Sequence, residues 1–393
     1  MYINKLSCHL WLPNVYQFKG GIQVYLSFFL QALRSAYPTN TYDLFFKNDT
    51  HKPVTETSWQ NTRFHFSGRW PLSIRTIIFC LNILTFGLLH RPNLIIAAHL
   101  NFTVVAYWLN RLLGLKYWIL VYGVECWGVQ KPALKAALHQ SDRILAISNY
   151  TKNRLVSEQQ IDPGKISLLP CAFDASQFEI RPKPNYLLEK YGLTIEQPVI
   201  LTVSRLADVE RFKGYDQILA AMPMIRQVIP DVHYMIVGKG GDRVRIEQMI
   251  SDMGLETCVT LAGFVPDESL SDYYNLCDVF AMPSKLEGFG IVYLEAMACG
   301  KPVLGGDQDG AVDALDNGRL GALINPDDVP SIASTLVKIL KKEYPLPLLY
   351  QPYQLRQAVI DLYGYSSFQS TLNELLKVPF EGNQPVSTNL NAA

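Results

Sequence analysis

The sequence has no closely spaced pair of cysteines and no excess of either charge. Its seven cysteines include no C-x-x-C motif, which argues against both a zinc ribbon and a disulfide framework. Lys plus Arg and Asp plus Glu both total 35, whereas a general nucleic-acid-binding protein is normally strongly basic. The first residues lack the charged and apolar regions of a signal peptide. These absences predict a cytoplasmic protein with no nucleic-acid partner.

Apolar residues are abundant enough for two domains. The chain has 393 residues, of which 49% are hydrophobic and 18% are charged, so two ordinary cores can form. Only the polar, Pro- and Asn-containing tail at 379–393 is expected to be disordered.

The balanced total charge conceals an asymmetry between the two halves. Residues 1–190 contain 20 Lys and Arg against 10 Asp and Glu, and residues 191–393 contain 15 against 25. Either the basic half faces an anionic membrane or substrate, or the two halves attract each other across their interface.

Short apolar runs alternate with amphipathic stretches, a pattern typical of parallel sheets covered by helices. Pro-rich residues 181–185 separate two such series. The predicted strands are 3–8, 93–98, 118–122, 143–147, Val199–Val203, His233–Val237, 259–262, Val279–Met282 and 302–304, and the predicted helices include 22–35, Tyr215–Val228, 243–253, 270–276 and 291–299.

This order predicts an α/β protein with two Rossmann-like domains, at 1–175 and 186–364, facing each other across a cleft. Because ligands of open parallel sheets bind beyond the carboxyl ends of the strands, the chemistry is expected in the loops that follow the strands.

Two cations follow the first strand of the second series. Arg205 lies in Ser204-Arg205-Leu206, and Lys213 precedes Gly214. A guanidinium fork and an ammonium group suit a diphosphate, although both could be ordinary surface cations. The next loop contains Gly238-Lys-Gly but carries Arg243 where a dinucleotide fingerprint needs glycine. Its glycines indicate close approach to a nucleotide or to a neighbouring strand.

The most informative segment runs from Met282 to Val303 and contains Glu287-Gly-Phe-Gly and Glu295. A strand, a glycine-containing turn and a helix succeed one another, so backbone N–H groups near Phe289 and Gly290 can point at an anion. Glu287 precedes the helix and Glu295 lies about one turn inside it. The alternatives are a helix-capping Glu287 and a surface Glu295, but the surrounding helix is mostly apolar.

The spacing of Glu287 and Glu295 resembles the E-x7-E motif of retaining glycosyltransferases of family 4 (GT4). Other segments follow in the order of that family: Gly20-Gly21, Ser204-Arg205-Leu206, Lys213-Gly214, Gly238 and Gly263-Phe264-Val265. The resemblance covers about 15–325 and a terminal helix near 365–378. It implies a GT-B fold whose last helix crosses back to the first domain.

The resemblance also implies roles for individual residues. Arg205 and Lys213 would bind the diphosphate of a UDP- or GDP-sugar, Glu295 the ribose and Glu287 the donor sugar. Backbone N–H groups of Phe289 and Gly290 would assist, Gly238 and Val265 would line the base, and Gly20 and Gly21 would approach the diphosphate. The expected reaction is hexosyl transfer with retention of configuration, the leaving phosphate taking the proton of the acceptor, without a metal or other cofactor. Asp307-Gln-Asp309 is interpreted as a solvated turn.

The chain departs from the family at the end of the strand at 118–122. Many relatives have a histidine there, and this chain has Tyr122. His99, Tyr122 and Glu125, all at strand ends of the first half, are therefore the candidates for catalytic contacts to the sugar or acceptor; a structural His99 is the alternative.

The acceptor is expected to be a saccharide or a polyprenyl- or other lipid-linked sugar. Residues 71–89 are apolar but interrupted by Arg75 and Asn82, and basic residues flank them. They fit either an interfacial helix on an anionic membrane or a core helix. The overall expectation is a peripheral enzyme of surface-polysaccharide or glycolipid assembly on the cytoplasmic side of the membrane. The alternatives are a non-catalytic sugar-nucleotide-binding subunit or another GT-B activity such as a sugar-nucleotide epimerase.

Overall fold

A computed structural model describes residues 6–17, 20–52 and 61–381. The chain forms two all-parallel sheets, one of seven strands in the order β3-β2-β1-β4-β5-β6-β7 and one of six in the order β10-β9-β8-β11-β12-β13. Helices cover the sheets, because every strand pairing is parallel and each parallel connection must cross over. The GT-B expectation of two Rossmann-like sheets is confirmed.

The first sheet and its helices are built from residues 7–168. The strands are β1 (Ser7–Leu12), β2 (Thr41–Phe46), β3 (Thr62–Phe66), β4 (Leu94–Ala97), β5 (Tyr117–Val121), β6 (Arg143–Ala146) and β7 (Ile166–Leu168). The helices are α1 (Gly21–Ala36), α2 (Leu72–His90), α3 (Thr103–Leu113), α4 (Pro132–Gln140) and α5 (Asn149–Gln159).

The second sheet follows a linker and one short helix. Its strands are β8 (Val199–Val203), β9 (His233–Val237), β10 (Val259–Gly263), β11 (Val279–Met282), β12 (Val303–Gly306) and β13 (Ala322–Ile324). The remaining helices are α6 (Asn185–Tyr191), α7 (Tyr215–Val228), α8 (Arg243–Asp252), α9 (Asp267–Leu276), α10 (Ile291–Ala298), α11 (Ala311–Ala314), α12 (Val329–Leu340), α13 (Pro352–Tyr363) and α14 (Tyr365–Glu381).

Several predicted bounds needed correction. The strand expected at 3–8 is β1, which runs from Ser7 to Leu12, and residues 3–5 lie outside the described part of the chain. The strand expected at 118–122 ends at Val121. Residues 379–381 of the expected disordered tail belong to α14, and 382–393 lie outside the described residues.

One hydrophobic core joins the two sheets. It contains buried side chains from α1, β5 and β6 of the first sheet and from α9, α10 and β11 of the second. The last helix, α14, returns to the first sheet, where the ring of Phe368 lies 5.5 Å from that of Tyr25 on α1. Tyr25 is 1% exposed, so this contact is part of the core. The shared core fixes the position of one sheet relative to the other.

Candidate functional site

The loops after the strands of the two sheets meet at two glycines. A Cβ on Gly288 would lie 2.0 Å from the carbonyl oxygen of Tyr122, and one on Gly123 would lie 3.2 Å from the Cα of Gly288. Gly123 also has a φ of 141°, which side-chain-bearing residues rarely adopt. The Glu287 loop of the second sheet therefore touches the loop after β5 directly.

Glu287 lies in the loop between β11 and α10 and forms an ion pair with Lys213. The two side chains are only 16% and 17% exposed. Gly214 makes this approach possible, because it has a φ of 87° and a Cβ there would lie 2.3 Å from the carbonyl oxygen of Pro283. Because Gly214 has no side chain, the turn next to Lys213 can pack against Pro283. Lys213 and Glu287, 74 residues apart in sequence, are thereby brought into contact.

Arg205 follows β8 and forms an ion pair with Glu210. Its side chain is 70% exposed, while that of Glu210 is 13% exposed. The hydroxyl oxygen of the neighbouring Ser204 is buried without a hydrogen-bond partner. Buried polar atoms are normally paired, so this loop has hydrogen-bonding capacity to offer an incoming polar group.

Glu295 lies in the second turn of α10 and accepts a hydrogen bond of 2.6 Å from the hydroxyl of Tyr274. Burial raises the pKa of Glu295 to about 7, the hydrogen bond from Tyr274 opposes this and the charge of Asp267 adds to it. The sequence-based interpretation of a carboxylate in a mostly buried face is confirmed, and a surface role is wrong.

The glycines singled out from the sequence are required by the fold for different reasons. A Cβ on Gly238 would lie 1.7 Å from the carbonyl oxygen of Ser204, so of the two possibilities the close approach is to a neighbouring strand end. Gly290, with a φ of 93°, precedes α10. Gly20 precedes α1, and a Cβ on Gly21 would lie 3.7 Å from Cδ1 of Ile291. The N-termini of α1 and α10 therefore face each other.

Phe289 and Val265 are largely buried, at 1% and 8% exposure. The ring of Phe289 lies 5.4 Å from that of Tyr363 on α13. Its side chain is an anchor for the loop, which leaves its backbone as the part available to a ligand.

The three candidates of the first half differ from one another. Tyr122 requires a correction: its ring is 7% exposed and its hydroxyl donates to the carbonyl of Ala98 at 3.2 Å. This hydroxyl is therefore used within the core and does not face the cleft. Glu125 accepts a bond from the backbone N–H of Tyr122 at 2.5 Å, yet burial still raises its pKa. His99 accepts from the N–H of Asn101 at 3.1 Å, and burial and then the charge of Lys47 lower its pKa.

The interpretation of Asp309 as part of a solvated turn is wrong. Asp309 is 1% exposed, and its carboxylate accepts the backbone N–H of Glu287 at 2.7 Å. Of the two aspartates in the D-x-D sequence, only Asp307 is exposed. Among the residues that the structure describes, no group of three or more His, Cys, Asp or Glu side chains could hold a metal ion.

Two further carboxylates were not predicted from the sequence. Asp49 is fully buried and accepts backbone N–H groups from Val15 and Gln17, in the loop after β1, at 2.6 and 3.0 Å. Asp313 reaches across the cleft to the N–H groups of Asn149 and Tyr150 at 2.8 and 3.0 Å. Their partners are more than 30 residues away, so sequence spacing contains no signal for them.

Comparison with known families matches both halves of the chain. Residues 19–177 match the model "Glycosyltransferase Family 4", and residues 187–355 match "Glycosyl transferases group 1". The two matches abut without overlap at the linker between the sheets.

Curated relatives include mannosyltransferases. The GDP-mannose-dependent alpha-(1-6)-phosphatidylinositol monomannoside mannosyltransferase of Mycolicibacterium smegmatis is 34% identical over 221 residues, which are 54% of this chain and 56% of the relative. The GDP-mannose-dependent monoacylated alpha-(1-6)-phosphatidylinositol monomannoside mannosyltransferase of Corynebacterium glutamicum is 32% identical over 51% of this chain and 53% of the relative. The matches therefore span about half the length of these relatives.

Solved structures resemble the chain over nearly its whole length. Sucrose-phosphate synthase of Thermosynechococcus elongatus has a TM-score of 0.77 at 22% identity, covering 96% of this chain and 100% of that one. Anabaena HepE in complex with UDP has a TM-score of 0.73 at 18% identity, covering 95% and 100%. At these identities the likeness concerns the fold.

Proposed function

The chain belongs to glycosyltransferase family 4, and from this premise we propose that it transfers a hexose from a nucleoside-diphospho-sugar to a saccharide or lipid-linked acceptor. The observation that carries the proposal is the largely buried Lys213–Glu287 pair beside the N-terminus of α10. It supports the proposal because a cation and a carboxylate lie together at the edge of the second sheet, where ligands of open parallel sheets bind.

Binding of the donor would give the charged side chains of the cleft new partners. Lys213 and Arg205 now pair with Glu287 and Glu210. A diphosphate is a stronger competitor for both cations, since charge-assisted bonds to phosphate are short and, for Arg, bidentate. Lys213 would then leave Glu287 free to accept hydroxyl groups of the sugar, and Glu295 would accept those of the ribose.

The same cations would act most strongly as the sugar departs. Negative charge grows on the leaving diphosphate, and fixed donors that meet it lower the barrier. We propose that Arg205, Lys213 and the N–H groups at the start of α10 provide this stabilisation without a metal ion. The departing phosphate would take the acceptor proton on the face from which it leaves, so the sugar configuration would be retained.

The nucleotide base of the donor is either guanine or uracil. The mannosyltransferase relatives are named for GDP-mannose, and the HepE neighbour holds UDP. Greater sequence identity favours a GDP-sugar, with UDP-glucose and UDP-N-acetylglucosamine as the other candidates.

An exposed apolar surface on α2 and α3 supports a membrane-associated acceptor. Helix α2 is long and apolar enough to cross a membrane. Only 17% of its apolar stretch is buried, so α2 is not a core helix. It crosses α3 closely, since a Cβ on Gly87 would lie 2.5 Å from Leu109. The side chains of this α2–α3 surface that are at least half exposed are Leu72, Ile77, Leu81, Leu89, Trp108 and Leu112.

We propose that the α2–α3 surface lies in the interface of an anionic membrane on the cytoplasmic side. Arg69, Arg91 and Arg111 are exposed next to it, and basic residues beside an apolar helix face are attracted to anionic lipids. A lipid-linked acceptor would reach the first sheet from this side, as expected of an enzyme of surface-polysaccharide or glycolipid assembly.

A donor panel tests the transfer. We expect GDP-mannose, or one of the two UDP-sugars, to raise the melting temperature of the protein and Glu295→Ala to abolish the shift. The preferred donor is then incubated with polyprenyl-phosphate- and phosphatidylinositol-linked sugars, and the configuration of the product is read by NMR. Binding without transfer to any acceptor would favour a non-catalytic subunit, and an altered donor sugar would indicate an epimerase.

Vesicle sedimentation tests the membrane surface. We expect Ile77→Glu with Leu81→Glu to weaken binding to phosphatidylglycerol vesicles by tenfold or more, on the order of 1.4 kcal/mol. Ile195→Glu is the matched control, because Ile195 is 51% exposed in the loop before β8. Equal binding by the double variant and the control would remove the α2–α3 surface from the proposal.

A further inference from the structure

The main chain of Glu287 is held at both of its polar groups by two consecutive residues. The carboxylate of Asp309 accepts the N–H of Glu287 at 2.7 Å, and the N–H of Gly310 donates to the carbonyl of Glu287 at 2.8 Å. A Cβ on Gly310 would lie 2.2 Å from the carbonyl oxygen of Gly288. The loop between β12 and α11 therefore lies directly against the Glu287–Gly288 peptide, and only glycine fits at 310.

A local turn explains only one oxygen of Asp309. Its Oδ1 accepts the N–H of Ala311 at 2.9 Å, a common arrangement ahead of a helix. Its Oδ2 is the atom bonded to Glu287, 22 residues away in sequence. A turn-forming aspartate on the surface would leave this second oxygen in water.

Burial of Asp309 has a cost that the turn does not require. Burial raises its pKa to about 6, the backbone N–H groups of Glu287 and Ala311 and the side chain of Ser284 oppose this, and the charge of Glu287 adds to it. Ser284 is itself fully buried and shares a hydrogen bond of 3.1 Å with the hydroxyl of Tyr293 on α10. A desolvated carboxylate is retained here although a serine or asparagine could form the turn.

The loop fixed by Asp309 makes close contacts on both sides of the cleft. Gly288 touches Tyr122 of the first sheet, and the carboxylate of Glu287 meets Lys213. A shift of the Glu287 N–H by a fraction of an ångström would move both contacts, and misplacement by about 1 Å is enough to cost on the order of 10²-fold in rate.

We propose that Asp309 is a positioning residue that sets the place of the Glu287 carboxylate against the donor sugar. This role rests on the proposed transferase function, since Asp309 acts on the sugar only through Glu287.

Three variants separate positioning from general stability. Asp309→Asn keeps the size of the side chain but turns an N–H₂ group toward one of the two N–H donors. Asp307→Asn is the matched control in the same loop, where the side chain is exposed. Glu287→Gln removes the group through which Asp309 is proposed to act.

We expect kcat/KM for the preferred donor to fall about tenfold to a hundredfold in Asp309→Asn and to stay unchanged in Asp307→Asn. Affinity for the nucleoside diphosphate without the sugar should change little, because Arg205, Lys213 and Glu295 bind that part. In a Glu287→Gln background the Asp309→Asn change should have almost no further effect. Equal losses in both backgrounds, or equal losses of nucleoside-diphosphate and donor affinity, would overturn the proposal.

Amide hydrogen exchange provides a readout that needs no substrate. Asp309→Asn should speed exchange in the peptide around Glu287 and leave the peptide around Glu295 unchanged. If the wild type transfers no sugar, the proposed function fails while this measurement still tests the positioning. If Asp309→Asn does not fold, Ser284→Ala should also speed amide exchange in the peptide around Glu287, by a smaller factor. Unchanged exchange at Glu287 in the variant that folds would reject the role.

Discussion

At the cleft, burial raises the pKa of Glu295 to about 7 and that of Asp309 to about 6, whereas at the outer edge of the first sheet Asp43 behaves in the opposite way. Burial would raise the pKa of Asp43 as well, but its contacts with His65, His9 and Arg63 outweigh burial and hold the pKa well below its usual range. Asp43 is only 1% exposed, so burial alone does not distinguish the two regions.

The difference lies in the partners of each carboxylate. Arg63 donates two hydrogen bonds to Asp43, at 2.8 and 2.6 Å, and His65 lies 2.8 Å from it. Glu295 has a tyrosine hydroxyl, and Asp309 has backbone N–H groups. A carboxylate whose pKa is raised by burial and whose partners are uncharged is more typical of a functional site than one paired with cations. The comparison therefore supports the proposal that the cleft is the functional site.

The largest expected effect tests whether the cleft carries the chemistry. Lys213→Ala should lower kcat by about 10²–10³-fold, because the charge that Lys213 would meet grows in the transition state. KM for the donor should rise by a smaller factor. Lys116→Ala is the matched control, since Lys116 is exposed before β5 at the far end of the first sheet.

The measurement is steady-state kinetics over a range of donor concentrations. A rise in KM with kcat unchanged would mean that Lys213 binds donor and transition state equally well. The cleft would then be a binding site whose chemistry depends on other groups.

The next effect concerns the opposite pKa shifts directly. The pKa of Glu295 is raised from 4.5 to about 7, so between these values the unfolded chain loses its proton before the folded one does. The free energy of unfolding therefore falls as pH rises through this window, by at most about 3 kcal/mol. Glu295→Gln should flatten the fall, as measured by urea denaturation at pH 5 and pH 7.5.

Asp43→Asn is the matched comparison in the other region. Because the pKa of Asp43 is lowered, its stabilisation is present at neutral pH and is lost as pH falls below the ordinary value near 3.8. This variant should be less stable than the wild type at pH 7 by about 2 kcal/mol, and the difference should shrink toward pH 3. A Glu295→Gln curve parallel to that of the wild type between pH 5 and 7.5 would break the comparison.

How much of this was predictable depends on distance along the chain. Lys213 and Glu287 lie 10 and 5 residues after the ends of β8 and β11, and Glu295 lies in the helix that follows β11. The carboxyl edge of a parallel sheet is fixed by topology. Four of the predicted segments match the structure to the residue: Val199–Val203, His233–Val237, Val279–Met282 and Tyr215–Val228.

The failures have specific physical causes. Strand β3 escaped because Arg63 and His65 interrupt its apolar pattern, and these residues point to Asp43. Tyr122 is a candidate by its place in the family, where many relatives have a histidine, but its hydroxyl is bonded to the carbonyl of Ala98 in the core, a contact with a residue 24 positions away that the sequence does not reveal. Asp309 resembled a solvated turn because the glycines that allow its loop to lie against Glu287 have their effect only in three dimensions.

The smallest expected effect is at the rim of the cleft, where one domain caps a helix of the other. The carboxylate of Asp313 accepts the N–H groups of Asn149 and Tyr150, at 2.8 and 3.0 Å, and the side-chain amide of Asn149 at 2.7 Å. The first turn of α5 is thus capped twice, by its own Ser148 and from the second sheet. Asp313→Ala should cost about 1 kcal/mol, the usual value of a helix cap.

Asp328→Ala separates the cap from the contact between domains. Asp328 caps α12 within the second domain, accepting the N–H of Ser331 at 3.0 Å, so its loss should lower the melting temperature by a similar amount. Only Asp313→Ala should also speed amide exchange at Asn149 and Tyr150 and enlarge the radius of gyration measured by small-angle scattering. If both variants leave the radius unchanged, the shared core and α14 alone hold the domains together, and the polar contact at the rim adds stability without controlling the opening of the cleft.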